Sequence, residues 1–294
     1  MTIRPRRSLL FMPGSNARAL EKARTLPADG IILDLEDSVA VDAKATAREQ
    51  VAAAVTAGGF GHREVIVRVN GLDTPWWLDD LGMAARAKPH GVLVPKVASV
   101  ADLTAIADRF GDIGADHTIR VWIMIETPLG VLRAEELAAA SRDSEMRLAG
   151  IVIGPNDIAR ETRMRMVPGR APMVPALMQC VFAARANGLD ILDGVYNNFS
   201  DTEGFARECV QAREMGFDGK TLIHPSQIEP CNAAFTPVAE DVAAAREILA
   251  EFAKPENDGR GAIQIKGQMV ERLHMEMAKR TVEIADAIAA MKAG

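Results

Sequence analysis

Two carboxylates, Glu126 and Asp157, and one guanidinium, Arg68, are the residues whose types and spacing best suit chemistry in this chain. Each closes or follows a short apolar run: Val67-Arg68-Val69-Asn70, Ile125-Glu126-Thr127-Pro128 and Gly154-Pro155-Asn156-Asp157. Two hard oxygen ligands at the ends of adjacent strands, with water completing the shell, are the usual setting for magnesium. Each residue also has a plainer role open to it. Asp157 could cap the segment after Ile158, and Glu126 could pair with Arg68 or Lys96. Arg68 could fork onto a ligand carboxylate or a polarised carbonyl, or pair internally with Asp34 or Glu36. Lys96 is of the type that forms Schiff bases, although so many nearby carboxylates favour an ion pair. Asp34, Glu36 and Asp37 read as supports that orient water on the ion or hold the two cations. Asp34 is also carried as a candidate catalytic residue. Gly14-Ser15-Asn16, with Arg18 and Lys22 one turn on, could cradle a phosphate. His224-Pro225 has no second histidine beside it and reads as a satisfied, partly buried residue.

Something must bring these positions to one place. Apolar, β-branched runs at 8–12, 30–35, 64–69, 91–95, 119–125, 150–153, 189–192 and 220–223 have the look of parallel strands covered on both faces. Helical patterns fall between them at 16–26, 44–55, 100–110, 171–187 and 202–215. Most strands recur near the length of a βαβ unit. Eight such units predict an α/β protein with a (β/α)8 TIM barrel, whose catalytic groups sit at the carboxyl ends of the strands. On that expectation Asp34 to Asp37, Glu126, Asp157 and Asp193 ring one mouth together with Arg68 and Lys96. An open doubly wound sheet is the rival, but neither a Gly-rich dinucleotide fingerprint nor a Walker sequence is present.

The barrel is expected over 1–235 and a C-terminal helical extension over 236–294. A helix at 240–253, a loop at 255–261 and a last helix at about 268–291 are read there. Leu273, Met277, Ile284, Ile288 and Met291 form an apolar stripe, expected to pack on a neighbouring subunit or to cover the barrel mouth.

Composition narrows the partners. The 294 residues are 48% hydrophobic and 25% charged, an ordinary globular mix, so disorder is excluded. Aromatics are 4% with one Tyr, and the net charge is −6, so neither base stacking nor attraction to phosphate polymers is expected. A nucleic-acid partner is therefore not expected. Three cysteines without paired spacing argue against a disulfide framework or a zinc site and suit a reducing, cytoplasmic setting. No stretch approaches a membrane span, and the apolar run after Arg4, Arg6 and Arg7 is too short for a signal peptide.

The stretches RSLLFMPGSN, DGIILDLEDSV, VRVNG, VPKV, IETPLGV, GPNDIA and GFDGKTLIHPSQ together resemble the citrate lyase β-subunit-like CoA-ester lyases of the HpcH/HpaI aldolase superfamily. DGVYNNFSD and the long tail are most similar to its malyl-CoA and citramalyl-CoA lyases and to a malyl-CoA thioesterase branch. The resemblance implies a magnesium-dependent barrel assembled as a homotrimer or hexamer. It places Mg²⁺ on Glu126 and Asp157, and Arg68 on the carbonyl and carboxylate of a 2-oxo acid. Asn156, with Glu126 and Asp157, would touch substrate, while CoA would pass Phe11, Lys22, Leu222 and Ile223. Some relatives carry a basic residue where this chain has Asn16, which leaves Arg18 to supply that phosphate contact.

Lyases of the group use an Asp at the start of the last helix as a base reaching into a neighbouring subunit. The matching position here is Glu271. One extra methylene displaces the base by an amount that can cost roughly a hundredfold. The thioesterase branch is similar at this position, so Glu271 could place a water for hydrolysis or still serve carbon chemistry. The expected reaction is retro-Claisen cleavage of a β-hydroxyacyl-CoA such as malyl-, β-methylmalyl- or citramalyl-CoA to an acyl-CoA and glyoxylate or pyruvate. Thioester hydrolysis, a CoA-independent pyruvate aldolase and a non-catalytic metabolite-binding paralogue are the alternatives.

Overall fold

A computed structural model describes residues 3–293. Strands β1 (Ser8–Pro13), β2 (Gly30–Asp34), β3 (Glu64–Arg68), β4 (Gly91–Val94), β5 (Arg120–Ile125), β6 (Leu148–Ile153), β7 (Asp190–Asp193) and β8 (Gly219–Leu222) pair in chain order, all parallel. β8 returns to β1 and closes the barrel. This is the expected TIM barrel, with strand ends moved by one or two residues.

Alternation of side chains along each strand divides the apolar residues into two layers. Leu9, Ile32, Ile66, Leu93, Trp122, Met124, Val152 and Leu192 fill the interior. Their sequence neighbours, such as Leu10, Leu33, Val67, Val94, Ile123 and Ile191, point outward into the layer shared with the helices. Trp122, fully buried, is the largest interior group, and Gly150 makes room for it, because a Cβ there would overlap the indole ring.

The amino-terminal end of the barrel is closed by a cation. Arg6 donates to Glu64 at 2.6 and 2.8 Å, pairs with Asp190 and lies over the Trp122 ring at 5.0 Å. Removing it leaves carboxylates in a mostly buried place without that counter-ion. The Arg6→Ala variant is expected to lose about 3 kcal/mol of stability, seen as a fall of roughly 6–12 °C in thermal unfolding. An unchanged Tm would show that this plug is dispensable.

The unit from Arg6 to Phe235 holds the barrel, and residues 3–5 with 236–293 belong to a second compact unit. In the second unit helices Ala239–Phe252 and Arg272–Ala293 pack together, with Arg246 and Asp286 paired at 2.7 Å. The last helix begins later than expected. Residues 268–271 form strand β10 (Gln268–Glu271), antiparallel to β9 (Ala262–Ile265). Lys266 and Gly267 both adopt positive φ, 50° and 81°, the geometry of a tight hairpin turn. Ile263 and Val270 alternate inward there, and that period of two overrides the helical reading of the stretch. Within the stripe Ile288 is buried, whereas Leu273 and Met277 are exposed. Cys180, Cys209 and Cys231 are buried free thiols. Among the described residues, no helix is long and apolar enough to cross a membrane.

Candidate active site

The inward parity that places Ile32, Ile66 and Met124 in the barrel continues to Asp34, Arg68 and Glu126, at or just beyond the strand ends. All three are buried. Arg68 is clamped from two sides. Its Nε and Nη2 donate to the Asp34 carboxylate at 2.6 and 2.7 Å, Nη1 stands 2.8 Å from Glu36, and the guanidinium lies over Phe11 at 4.7 Å. Asp34 is saturated, because it also accepts from the Glu36 and Ser38 amides and the Ser38 hydroxyl. Burial pushes its pKa up, but Arg68 and these donors outweigh that and hold it below the ordinary range.

Behind this pair, the buried Lys44 ammonium donates to the Leu35 and Glu36 carbonyls at 2.7 Å each and fixes the loop after β2. Nothing in the sequence singled out Lys44 for this role, since its helix reads as an ordinary outer element. Glu36 is raised by burial first, with Asp37 and Asp34 adding to that against Arg68 and Lys96. Lys96 Nζ lies 3.6 Å from Glu36. Partial burial lowers the Lys96 pKa, but Glu36, Glu126, Asp37 and Asp157 together raise it above its usual value. A more firmly protonated amine is a poor Schiff-base nucleophile.

Glu126 follows β5 and precedes the Thr127-capped turn Pro128–Leu132. Its Oε1 accepts from the Lys96 amide at 2.8 Å, and it forms no ion pair with Arg68 or Lys96 within 4.0 Å. Burial, then Glu36 and Asp157, push its pKa up to about 8. Gly154, after β6, lies against it: a Cβ there would overlap the Glu126 Cβ and come within 2.5 Å of Oε2.

Asp157 is the third residue of helix Pro155–Thr162, whose N-cap is Gly154 without a side-chain bond. The capping role considered for Asp157 is therefore not the one it plays. Its Oδ1 instead meets Arg160 Nη2 at 2.6 Å. A buried carboxylate whose pKa is raised, a second one close enough to contribute to that rise, and a glycine whose missing Cβ leaves room for the first fit a small hard cation. Among the described residues no group of three or more His, Cys, Asp or Glu side chains converges as a metal cluster. An ion here would draw two ligands from the chain and the rest from water or substrate.

Other expected members are placed differently. Asp193 does not join the mouth. Its parity is outward, and it is fully buried between Lys220 at 2.7 Å and Arg170 at 2.8 Å, with Glu208 reaching both cations at 2.7 and 3.5 Å. Leu222 is likewise in the outer core, so its side chain cannot meet a ligand, whereas Ile223 is 40% exposed. Phe11 is half-buried beneath Arg68, and Lys22 lies exposed on helix Ala17–Ala23. Asn156 is exposed and exchanges amide hydrogen bonds with Asn197 at 2.7 and 3.2 Å. His224 is partly buried as expected. It accepts from the Ser226 amide and stacks on Phe199 with ring centroids 4.7 Å apart. Glu271 ends β10 in the second unit, where its amide donates to His274 Nδ1 at 3.0 Å.

The profile of the HpcH/HpaI aldolase/citrate lyase family matches residues 7–225, most of the chain. This chain belongs to that family. Among family members, a protein of Cereibacter sphaeroides named (3S)-malyl-CoA thioesterase is 47% identical over 98% of both chains. The citrate lyase subunit beta of Haemophilus influenzae is 35% identical over 95% of this chain and 97% of its own. The solved structure of CitE from Mycobacterium tuberculosis, in complex with magnesium, acetoacetate and coenzyme A, superposes with a TM-score of 0.76. It is 31% identical, and the match covers 96% of this chain and 98% of that one.

Proposed function

We propose that this protein is a magnesium-dependent enzyme that cleaves a β-hydroxyacyl-CoA of the malyl-CoA type into an acyl-CoA and a 2-oxo acid. The observation that carries the reading is the joint placement of a clamped guanidinium, Arg68, and two mutually repelling carboxylates, Glu126 and Asp157, at one end of one barrel. The likeness to a CitE bound to magnesium and coenzyme A supports the ligand class. Glu126 and Asp157 would hold the cation, which supplies Lewis acidity and orientation at the carbonyl formed on cleavage.

Arg68 binds the carboxylate and developing carbonyl of the departing oxo acid. Asp34 fixes the angle of that guanidinium, and with its oxygens saturated it is a positioning residue and not the base. Asn156, held by Asn197, borders the substrate beside Asp157. Glu271 is assigned the β-hydroxyl proton, presented from a neighbouring copy of the chain in a trimer or hexamer. Phe11, Lys22 and Ile223 with the Leu222 backbone are assigned to CoA.

Full-length identity of 47% to proteins named (3S)-malyl-CoA thioesterase favours a second reading. There Glu271 would direct water at the thioester carbonyl while the same residues grip the substrate. Product analysis on malyl-CoA separates the two readings. Carbon–carbon cleavage yields glyoxylate and acetyl-CoA, whereas hydrolysis yields malate and free CoA. Recovery of neither pair from malyl-, methylmalyl- or citramalyl-CoA would refute both.

Metal affinity should depend on pH with a sign set by Glu126. Below its pKa of about 8 the carboxyl carries a proton that a cation must displace. The Mg²⁺ affinity is therefore expected to rise by close to about tenfold per pH unit between pH 6 and 7 and to level off above about pH 8. Titration calorimetry at several pH values measures this. A flat profile would mean that Glu126 does not bind the ion.

A further inference from the structure

We infer that Arg160 is the displaceable counter-ion of Asp157, holding that carboxylate until a divalent cation takes it over. The inference rests on the metal reading of Glu126 and Asp157.

Two neighbouring acids need compensation when no cation lies between them, because their repulsion would otherwise open the site. The two are compensated by different means. Glu126 is buried and accepts a hydrogen bond from the Lys96 amide at 2.8 Å. Asp157 is more exposed, and one turn along the same helix Arg160 reaches back to it, Nη2 to Oδ1 at 2.6 Å. A cation bound by Asp157 would compete with Arg160 for that carboxylate.

The cations at this mouth differ in how firmly they are held. Arg68 is buried, bound twice by Asp34, paired with Glu36 and stacked on Phe11. It cannot leave without stranding Asp34. Arg160 is exposed, and its other recorded contact is a 3.5 Å approach to Glu161 on the same helix. A pair one turn apart whose arginine is largely exposed is weak, so surrendering Asp157 to an ion costs little and reduces metal affinity only modestly. The pair thus keeps Asp157 aimed before binding and is broken by binding.

The test is calorimetric titration of MgCl2 into chelator-treated protein for three forms: wild type, Arg160→Gln and Arg163→Asn. Arg163 is an exposed arginine at the end of the same helix, with φ of 58°, a conformation that asparagine tolerates. Losing the competitor should make Arg160→Gln bind Mg²⁺ about two- to fivefold more tightly than wild type, while Arg163→Asn matches wild type. Affinity in Arg160→Gln equal to or weaker than wild type overturns the inference. So does equal tightening in Arg163→Asn, which would reduce the effect to diffuse charge. The metal reading fails separately, and takes this inference with it, if wild type binds no Mg²⁺ or if Glu126→Gln binds it undiminished.

Discussion

Glu126→Gln is expected to lower kcat/KM on its CoA-ester substrate by roughly a thousandfold or more, whichever bond is cleaved. The amide keeps the acceptor for the Lys96 N–H and the volume that Gly154 accommodates, so the site should retain its shape. What it loses is one of two anionic ligands. Stability should move the other way. A carboxyl whose pKa is raised by folding stabilises the folded state fully only below its unfolded pKa, and that contribution is lost as pH rises toward about 8. Above that pH the glutamine variant lacks the buried charge and should melt at the same temperature as wild type or higher. Loss of activity without loss of Tm is the expected signature of a functional acid kept at some cost to stability. Retained turnover would end the assignment of Glu126 to the metal.

Arg68→Lys should be the next most damaging substitution, lowering kcat/KM on the order of a hundredfold to a thousandfold. Lysine keeps the charge but replaces the planar fork that meets both Asp34 oxygens, and it cannot lie flat on Phe11 in the same way. Charge is thereby separated from geometry. If an ammonium alone suffices, activity will persist, and the guanidinium geometry that Asp34 fixes is not what the oxo acid requires. Arg68→Ala is less informative. It leaves Asp34 buried without its main counter-ion, which costs about 3–5 kcal/mol and mixes folding with catalysis. Inhibition by free glyoxylate or pyruvate provides the second readout: the Lys variant should bind these acids more weakly at unchanged Mg²⁺ affinity.

Much of the molecule is legible in its sequence. Eight apolar runs, most of them bounded by Gly, Pro or Asp and spaced for a crossover helix, specified the barrel through local pattern, and the structure closes it in the same order. Strand-end reading also located Arg68, Glu126 and Asp157, because a carboxyl-terminal end is recognisable from where an apolar run stops. The family motifs covered the same positions.

What the sequence could not settle is the direction in which each polar end residue faces and what it meets there. Asp34 and Asp193 occupy equivalent places, as the last residues of β2 and β7. The first points inward to Arg68, the second outward to Lys220 and Arg170. That choice follows from the stagger of strands on closing, a property of all eight together and not of any one run. The Arg6 plug, the Gly154 recess for Glu126 and the Asn156–Asn197 pair join residues 28 to 184 positions apart. Such contacts have no local periodicity to announce them. The β9–β10 hairpin is the converse case, a Lys-Gly turn between alternating tetrapeptides that was visible but was masked by the stronger helical stripe after it. Local patterning therefore determined the strands and the chemistry-bearing ends, while barrel closure decided which ends share a site, because orientation around a closed sheet is set by long-range register.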